Sequence, residues 1–297
     1  MDWQEQLISV YLTVCKAYEQ KLCGNMVRLS NYVAMTFTDE EAITIYLNGI
    51  ISGHHKLKSI YEYTCRHLRD WFPNLPGYEG FNYRINKISH LFEGLVESLL
   101  AELPTNIHQD LPALIDSMPI IMAQRGRRFK ACVAQEIATS NGYCATKKLH
   151  YYGVKLHLMG QYTKGSMPIP INLLITNAGT GDIKVLDEMK AILPDGLRVF
   201  ADKAYQRGGK PVEHDQGITL FTPIKKEKGQ KLLDAADRLL SSAISSVRQP
   251  IESIFSWIEE KTNIQIASKV RSYEGLMVHI FGKLAAAFIL LQQRVCP

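Results

Sequence analysis

The chain has 297 residues, with 34 Lys and Arg against 29 Asp and Glu and a formal net charge of +5. Hydrophobic residues make up 46% and charged residues 21%, enough to bury a sizeable core and to exclude global disorder. The charge is uneven: residues 1–120 carry 9 basic and 14 acidic side chains, residues 121–297 carry 25 and 15. An acidic first part followed by a basic second part points to a polyanionic partner for the second.

Met1-Asp2-Trp3-Gln4-Glu5 lacks the basic opening of a secretory signal, so a cytoplasmic protein is expected. The apolar tract Leu276 to Leu291, broken by His279 and Lys283, reads as a buried helix. It falls short of the roughly 20 apolar residues of a membrane span. Cys15, Cys23, Cys65, Cys132, Cys144 and Cys296 form no CxxC pair, against a zinc ribbon or redox motif and for reduced thiols. His54-His55 would diverge on a helix and reads as a solvated pair rather than a metal site.

The first 110 residues read as helical, and residues 1–108 are expected to form an all-α domain. Residues 2–23 carry dispersed apolar positions. Thr38 with Glu41 three residues later predicts a capping box at the start of an amphipathic helix. A helix over 54–70 ends before Phe72-Pro73, and 74–80 form a Gly/Pro turn. A helix from Tyr83 to about Leu103 follows. This succession, with Arg84 and Lys87 on the later helix, allows a helix-turn-helix DNA reader or an ordinary bundle.

A second domain is expected over 109–297. Ala113 to Ile121, Tyr151 to Leu158 and Ile169 to Thr176 read as strands, 182–193 as a helix, Arg198 to Asp202 and Ile218 to Thr222 as further strands. A basic loop over 225–231 precedes helices at 232–246, 250–263 and 273–294. Three early strands can form an antiparallel meander, with the helix crossing over to a fourth strand beside the first. The expected fold is therefore mixed α/β: a ribonuclease-H-like mixed sheet flanked by helices.

A buried strand seldom carries a carboxylate unless it is paired, hydrogen-bonded or bound to a cation. Asp116 lies inside one predicted strand and Asp202 at the end of another. If the strands are neighbours the two converge. A third acid would complete an oxygen-donor site for hard divalent cations. Pro250 suits a first helical turn, placing Glu252 at the positive end of its helix, with Arg248 four residues earlier as a phosphate contact or an ordinary ion-pair partner. Lys225, Lys226, Lys228 and Lys231 are candidate phosphate contacts or simply a solvated loop. Tyr143, Tyr151, Tyr152 and Trp257 read as packing residues rather than base-stacking ones.

Leu114-Ile115-Asp116-Ser117-Met118-Pro119, Ala201-Asp202-Lys203-Ala204-Tyr205 and the 248–257 stretch RQPIESIFSW together resemble DDE-type bacterial insertion-sequence transposases. The likeness is greatest to the insertion sequence 982 family. The 142–148 stretch GYCATKK, the 151–157 stretch YYGVKLH, TDEEA at 38–42 and LPGYEGFN at 75–82 add to it. The resemblance implies that Asp116, Asp202 and Glu252 are the catalytic acids and hold two Mg²⁺ or Mn²⁺ ions, with Arg248 as positive partner. A related Tyr-Arg-Glu-Lys signature is met only in its Arg and Glu: Ser245 stands where Tyr would be and Glu259 where Lys would be. The implied activity is metal-dependent cleavage at the ends of a mobile element and strand transfer into target DNA. The implied partners are double-stranded DNA, as terminal inverted repeats and target, and a second copy of the chain in the DNA complex. The expected place is the bacterial nucleoid, with no membrane partner. A ribonuclease-H-like nuclease that does not join strands, and a non-catalytic DNA-binding regulator, are the competing readings.

Overall fold

The computed structural model describes residues 2–22, 36–105, 111–145, 147–190, 193–206, 210–215, 217–226, 229–230 and 232–295. Lys228 and Lys231, as well as Cys23 and Cys296, lie outside these residues. The chain divides into two compact units: 1–102 with 258–297, and 103–257. The expected second domain, 109–297, differs from the second unit, because the helices after 258 cluster with the first.

In the first unit, α1 (Trp3–Ala17) is followed by α2 (Asp39–Ile51), α3 (Leu57–His67), α4 (Tyr78–Lys87) and α5 (Ser89–Glu102). The predicted capping box holds: Thr38 Oγ1 accepts from the Glu41 amide at 3.2 Å, and Glu41 Oε2 accepts from the Thr38 amide at 2.7 Å. The single helix expected from Tyr83 to Leu103 is instead two, parted at Ile88, and the first begins five residues earlier, directly after the Gly77 N-cap. His54 and His55 sit in the turn before α3, half-buried rather than solvated; His54 Nδ1 meets Ser59 Oγ at 3.0 Å.

The chain returns to this unit through α9 (Tyr273–Met277), a π-helical turn (Val278–Gly282) and α10 (Lys283–Val295). Together these form one run, Tyr273–Val295, long and apolar enough to cross a membrane, but mostly buried inside the unit. Leu284, Ala285, Ala286, Ala287 and Phe288 are fully buried, on a helix that packs against α2 and α5. Gly282 permits this approach, since a Cβ there would collide with the Tyr46 ring. Tyr46 stacks edge-on against Phe92 at 5.4 Å and donates to the Val278 carbonyl at 3.3 Å.

The second unit is built on a seven-stranded mixed sheet: β1 (Ala113–Gln124), β2 (Asn141–Cys144), β3 (Leu149–Gln161), β4 (Ile169–Asn177), β5 (Arg198–Phe200), β6 (Val212–Asp215) and β7 (Ile218–Phe221). The order is β2-β3-β1-β5-β7-β6, with β4 also paired to β3. β1, β3 and β4 form the expected antiparallel meander. Helix α6 (Asp182–Lys190) leads to β5, which lies parallel beside β1, and β7 lies parallel beside β5. The mixed α/β class and this order agree with the fold expected from the sequence; β2 and β6 are additions.

Strand alternation assigns the faces. Ala113, Ile115, Val199 and Ala201 pack with Val185, Leu186 and Met189 of α6. Leu114, Asp116 and Met118 therefore face the other way. Helix α7 (Ala235–Arg248) and helix α8 (Pro250–Thr262) serve that face: Ile251 lies close against Gly160, the ladder partner of Leu114. Gly153 sits opposite a bulge in β1, where a Cβ would collide with the Ile120 carbonyl oxygen.

Two stability predictions follow. Asp39 is fully buried, its Oδ1 held by Arg84 Nε at 2.6 Å, so Arg84→Ala leaves a buried carboxylate without its guanidinium. Urea denaturation is expected to show a loss of about 3–5 kcal/mol for Arg84→Ala and within about 0.5 kcal/mol for Lys87→Ala. Removal from water, then the nearby Lys283 ammonium, push the His279 imidazole down to about 3, while its Nε2 bonds the Ile264 carbonyl at 2.8 Å. The unfolded chain binds this proton near pH 6.5 and the folded chain does not. Stability should therefore fall as pH drops from 6.5 towards 3, by up to about 1.4 kcal/mol per pH unit for this group. His279→Gln should flatten the slope by that amount in denaturation series at pH 7, 6 and 5.

Candidate active site

Asp116 and Asp202 reach one place through strand register. Leu114 pairs with Phe200 in the parallel β1–β5 ladder. Asp116 and Asp202 each lie two residues further along an extended backbone, so both turn to the face served by α7 and α8. β5 ends at Phe200, and Asp202 caps the following 3₁₀ turn, its Oδ1 accepting from the Ala204 amide at 2.9 Å.

The third element is a break in the helix pair. Pro250 has no amide proton to continue α7, and its ring suits the first turn of α8. The break sets Arg248 at the end of α7 and Glu252 in the first turn of α8, where the helix dipole favours a carboxylate. Arg248 Nη1 donates to Asp116 Oδ2 at 2.6 Å, and Nη2 donates to Glu252 Oε1 at 2.6 Å. One guanidinium thus joins the strand acid to the helix acid. Asp116 is 21% exposed and Glu252 57%, so only the first link is shielded from water.

Burial above all, then the Asp202 and Glu252 carboxylates, raise the Asp116 carboxyl to about 6, against the opposing pull of Arg248 and the Ser117 amide. The charge of Asp116, opposed by burial, keeps the Arg248 guanidinium above its usual value together with Glu252 and Asp202. With the guanidinium between them, the acids do not form a ready-made cage: among the described residues, no group of three His, Cys, Asp or Glu side chains is arranged to hold a metal ion. The donor chemistry nevertheless suits a hard cation. Asp116 and Glu252 share one guanidinium, and the Asp202 and Glu252 carboxylates add to the burial that raises Asp116, a charge balance a cation would relieve.

Beside the acids is an open groove of about 480 Å³ lined by Asp202, Lys203, Pro223, Ser241, Ser242, Ser245 and Arg248. Ser245, which departs from the Tyr of the related signature, is therefore a wall of this groove. Ser241 Oγ accepts from the Ile224 amide at 3.1 Å, tying α7 to the segment after β7. Lys225 and Lys226 follow that segment and are exposed. On the α6 face, Tyr205 is buried and its hydroxyl lies 3.4 Å from His157 Nδ1, whose Nε2 meets Thr176 Oγ1 at 2.9 Å. Burial, then Lys155, hold His157 neutral, down to about 3; burial and the acids Asp182, Asp116 and Asp202 raise the Tyr205 hydroxyl. This bonded stack anchors the turn behind Asp202.

The remaining expected residues divide. Arg84 is turned inward onto Asp39 rather than presented to a partner. Lys87 is exposed over the exposed Tyr83 ring, 5.9 Å from its centroid. Tyr151 and Tyr152 are buried as expected, but Tyr143 is 54% exposed because it lies on β2, whose role as an edge strand the sequence reading missed. Glu259 lies more than a turn beyond Glu252 and accepts from the Gln265 amide at 2.9 Å. His157 was read only as part of a motif; an apolar strand interrupted by one His was its available signal.

A family profile described as the transposase DDE domain matches residues 108–289. Searches of curated proteins and of solved structures return no match.

The bridge predicts unequal couplings. In double-mutant cycles without divalent cations, Asp116→Asn with Arg248→Gln should couple by about 1–3 kcal/mol in urea denaturation. Glu252→Gln with Arg248→Gln should couple by less than about 1 kcal/mol, since that pair is solvated. Equal couplings would show that the two links are not energetically distinct.

Proposed function

The chain belongs to the transposase DDE domain family, and on that premise we propose that it cuts DNA at the ends of its own insertion sequence and joins those ends to target DNA. The observation that carries the reading is the convergence of Asp116, Asp202 and Glu252 on Arg248, beside a groove lined with hydroxyls and cations.

Asp116, Asp202 and Glu252 would hold Mg²⁺ or Mn²⁺, two ions in the full reading, which when bound activate the attacking oxygen and stabilise the leaving one. The groove receives the phosphodiester. Lys203 and the hydroxyls of Ser242 and Ser245, which line the groove, would contact its non-bridging oxygens. Arg248 orients Asp116 and Glu252 while the site is empty of substrate, and balances part of their charge. Tyr205, bonded through His157 to Thr176, fixes the turn that presents Asp202.

In the first step a water oxygen attacks the phosphorus at an element end. The P–O3′ bond breaks, the phosphate stays on the 5′ end of the downstream strand, the attacking water gives up a proton, and the 3′ oxygen takes one to become a free hydroxyl. In the second step that hydroxyl loses its proton and attacks a target phosphodiester, forming one P–O bond as the target's own P–O3′ bond breaks and the leaving 3′ oxygen takes a proton. No bond to the protein forms. Lys225 and Lys226 extend the positive rim towards the duplex, and Lys87 with Tyr83 gives the helical unit a backbone contact. Lys228 and Lys231, with the same proposed role, lie outside the described residues. The ends are read as terminal inverted repeats held by two copies of the chain at the nucleoid, in the manner of the insertion sequence 982 family.

The test uses a duplex bearing the inverted repeats that flank the gene, with Mg²⁺ or Mn²⁺. Wild type should nick the end and yield strand-transfer products. Asp116→Ala, Asp202→Ala and Glu252→Ala should each lower nicking by at least about 10³-fold while retaining end binding. Nicking without joining would replace this reading with the nuclease. Full function in Asp202→Ala would replace it with the regulator.

A further inference from the structure

β1 does not stop at the acids. It continues eight residues past Asp116 to Gln124 and runs directly into the 3₁₀ helix Arg125–Lys130, sequence RGRRFK. That turn concentrates Arg125, Arg127, Arg128 and Lys130, of which all but the half-buried Arg128 are exposed. None of the four forms an ion pair among the described residues. At their centre Phe129 is 71% exposed. The Arg128 guanidinium lies 4.2 Å from the centroid of its ring. Arg125 adopts φ +56°, a left-handed conformation that costs about 1–2 kcal/mol in a residue with a Cβ. A solvated turn would relax each of these features: the like charges repel, the ring wets, and the backbone is strained.

Position narrows the partner. Gln124, Tyr151 and Gly142 form one row across β1, β3 and β2, and the next row holds His150 and Tyr143. The basic turn therefore leaves the sheet at the end where Tyr143 is exposed, its ring 4.7 Å from that of His150. At about 3.3 Å per strand residue, the turn begins roughly 30 Å along the strand from Asp116, the rise of about 9 base pairs.

We propose that Arg125–Lys130 is a second DNA contact of this chain, with its cations on backbone phosphates and Phe129 against the open face of an unstacked base. Unpaired cations recognise a polyanion, and an exposed ring backed by a guanidinium recognises a base face. A protein partner carrying acidic side chains would satisfy the charges but would give Phe129 no preference for interrupted DNA. The inference rests on the transposase reading for its substrate class, and its test separates the two.

Full-length protein is titrated, in Mg²⁺-free buffer over a salt series, with a fluorescein-labelled random duplex of about 40 base pairs and with the same duplex carrying a short central gap. Replacing all four cations by Gln should lower the slope of log K against log salt by about 3–4, and Arg127→Gln or Lys130→Gln alone by about 0.9. The single changes serve if the fourfold variant fails to fold. Phe129→Ala should leave the slope unchanged and weaken gapped-DNA binding at least about fivefold, sparing the intact duplex. A fourfold variant with a slope within about 1 of wild type, or equal gapped-DNA affinity in Phe129→Ala, overturns the inference. If nicking still depends on Asp202 in that case, the transposase reading stands and this surface alone is wrong. If the slopes shift as expected but no metal-dependent nicking occurs, the surface stands and the transposase reading falls. Failure of wild type to bind either DNA overturns both.

Discussion

The guanidinium of Arg248 is the point on which the site's geometry depends. It makes a 2.6 Å bond to Asp116 on the central strand and a 2.6 Å bond to Glu252 on α8. The positive charge offsets the repulsion between the two acids it joins. The strand supplies an acid because side chains alternate and Asp116 falls on the face away from α6. The helix supplies one because Pro250 breaks α7 from α8 and turns a first-turn Glu towards the sheet. Asp202 joins by register, two residues past the last pair of the parallel β1–β5 ladder. Strand register, helix break and ion pair are thus separate causes that converge at one position.

The two faces of the sheet do different work. The α6 face is dry and holds Tyr205, His157 and the apolar residues around them. That face fixes the backbone turn from which Asp202 projects. The opposite face is wet at its open edge, where Lys203, Ser242, Ser245 and Arg248 line the groove. A stiff support behind and a solvated, charged surface in front are what positioning a charged, water-exposed substrate requires. The basic turn at the far end of β1 extends this charge along the sheet, and gives the excess of basic residues after 120 a location as well as a sign.

Much of this was legible in the sequence, for identifiable reasons. The antiparallel meander and the crossover to β5 could be read because each long strand has its own apolar run and α6 has a clear helical spacing. Asp116 was visible because an acid inside such a run is costly. The Thr38–Glu41 capping box was visible because capping is local chemistry. What escaped depends on contacts distant in sequence. The 4-residue β2 and β6 are strands through their ladders more than their composition. The helix pair parted at Ile88 carries no Pro or Gly at the break. Arg84 reads as a surface cation until Asp39, 45 residues earlier, is found buried against it. The membership of residues 258–297 in the first unit likewise follows from packing that no local pattern records.

The central claim is that Asp116, Asp202 and Glu252 form one cation site. The most direct measurement is anomalous diffraction from crystals grown or soaked in Mn²⁺. The account predicts a peak within coordination distance of both Asp116 and Asp202, with Glu252 turned towards it and the Arg248 guanidinium moved off the Asp116 carboxylate. Saturating Mn²⁺ that leaves no peak at these carboxylates, with the Arg248 bridge intact, would contradict it.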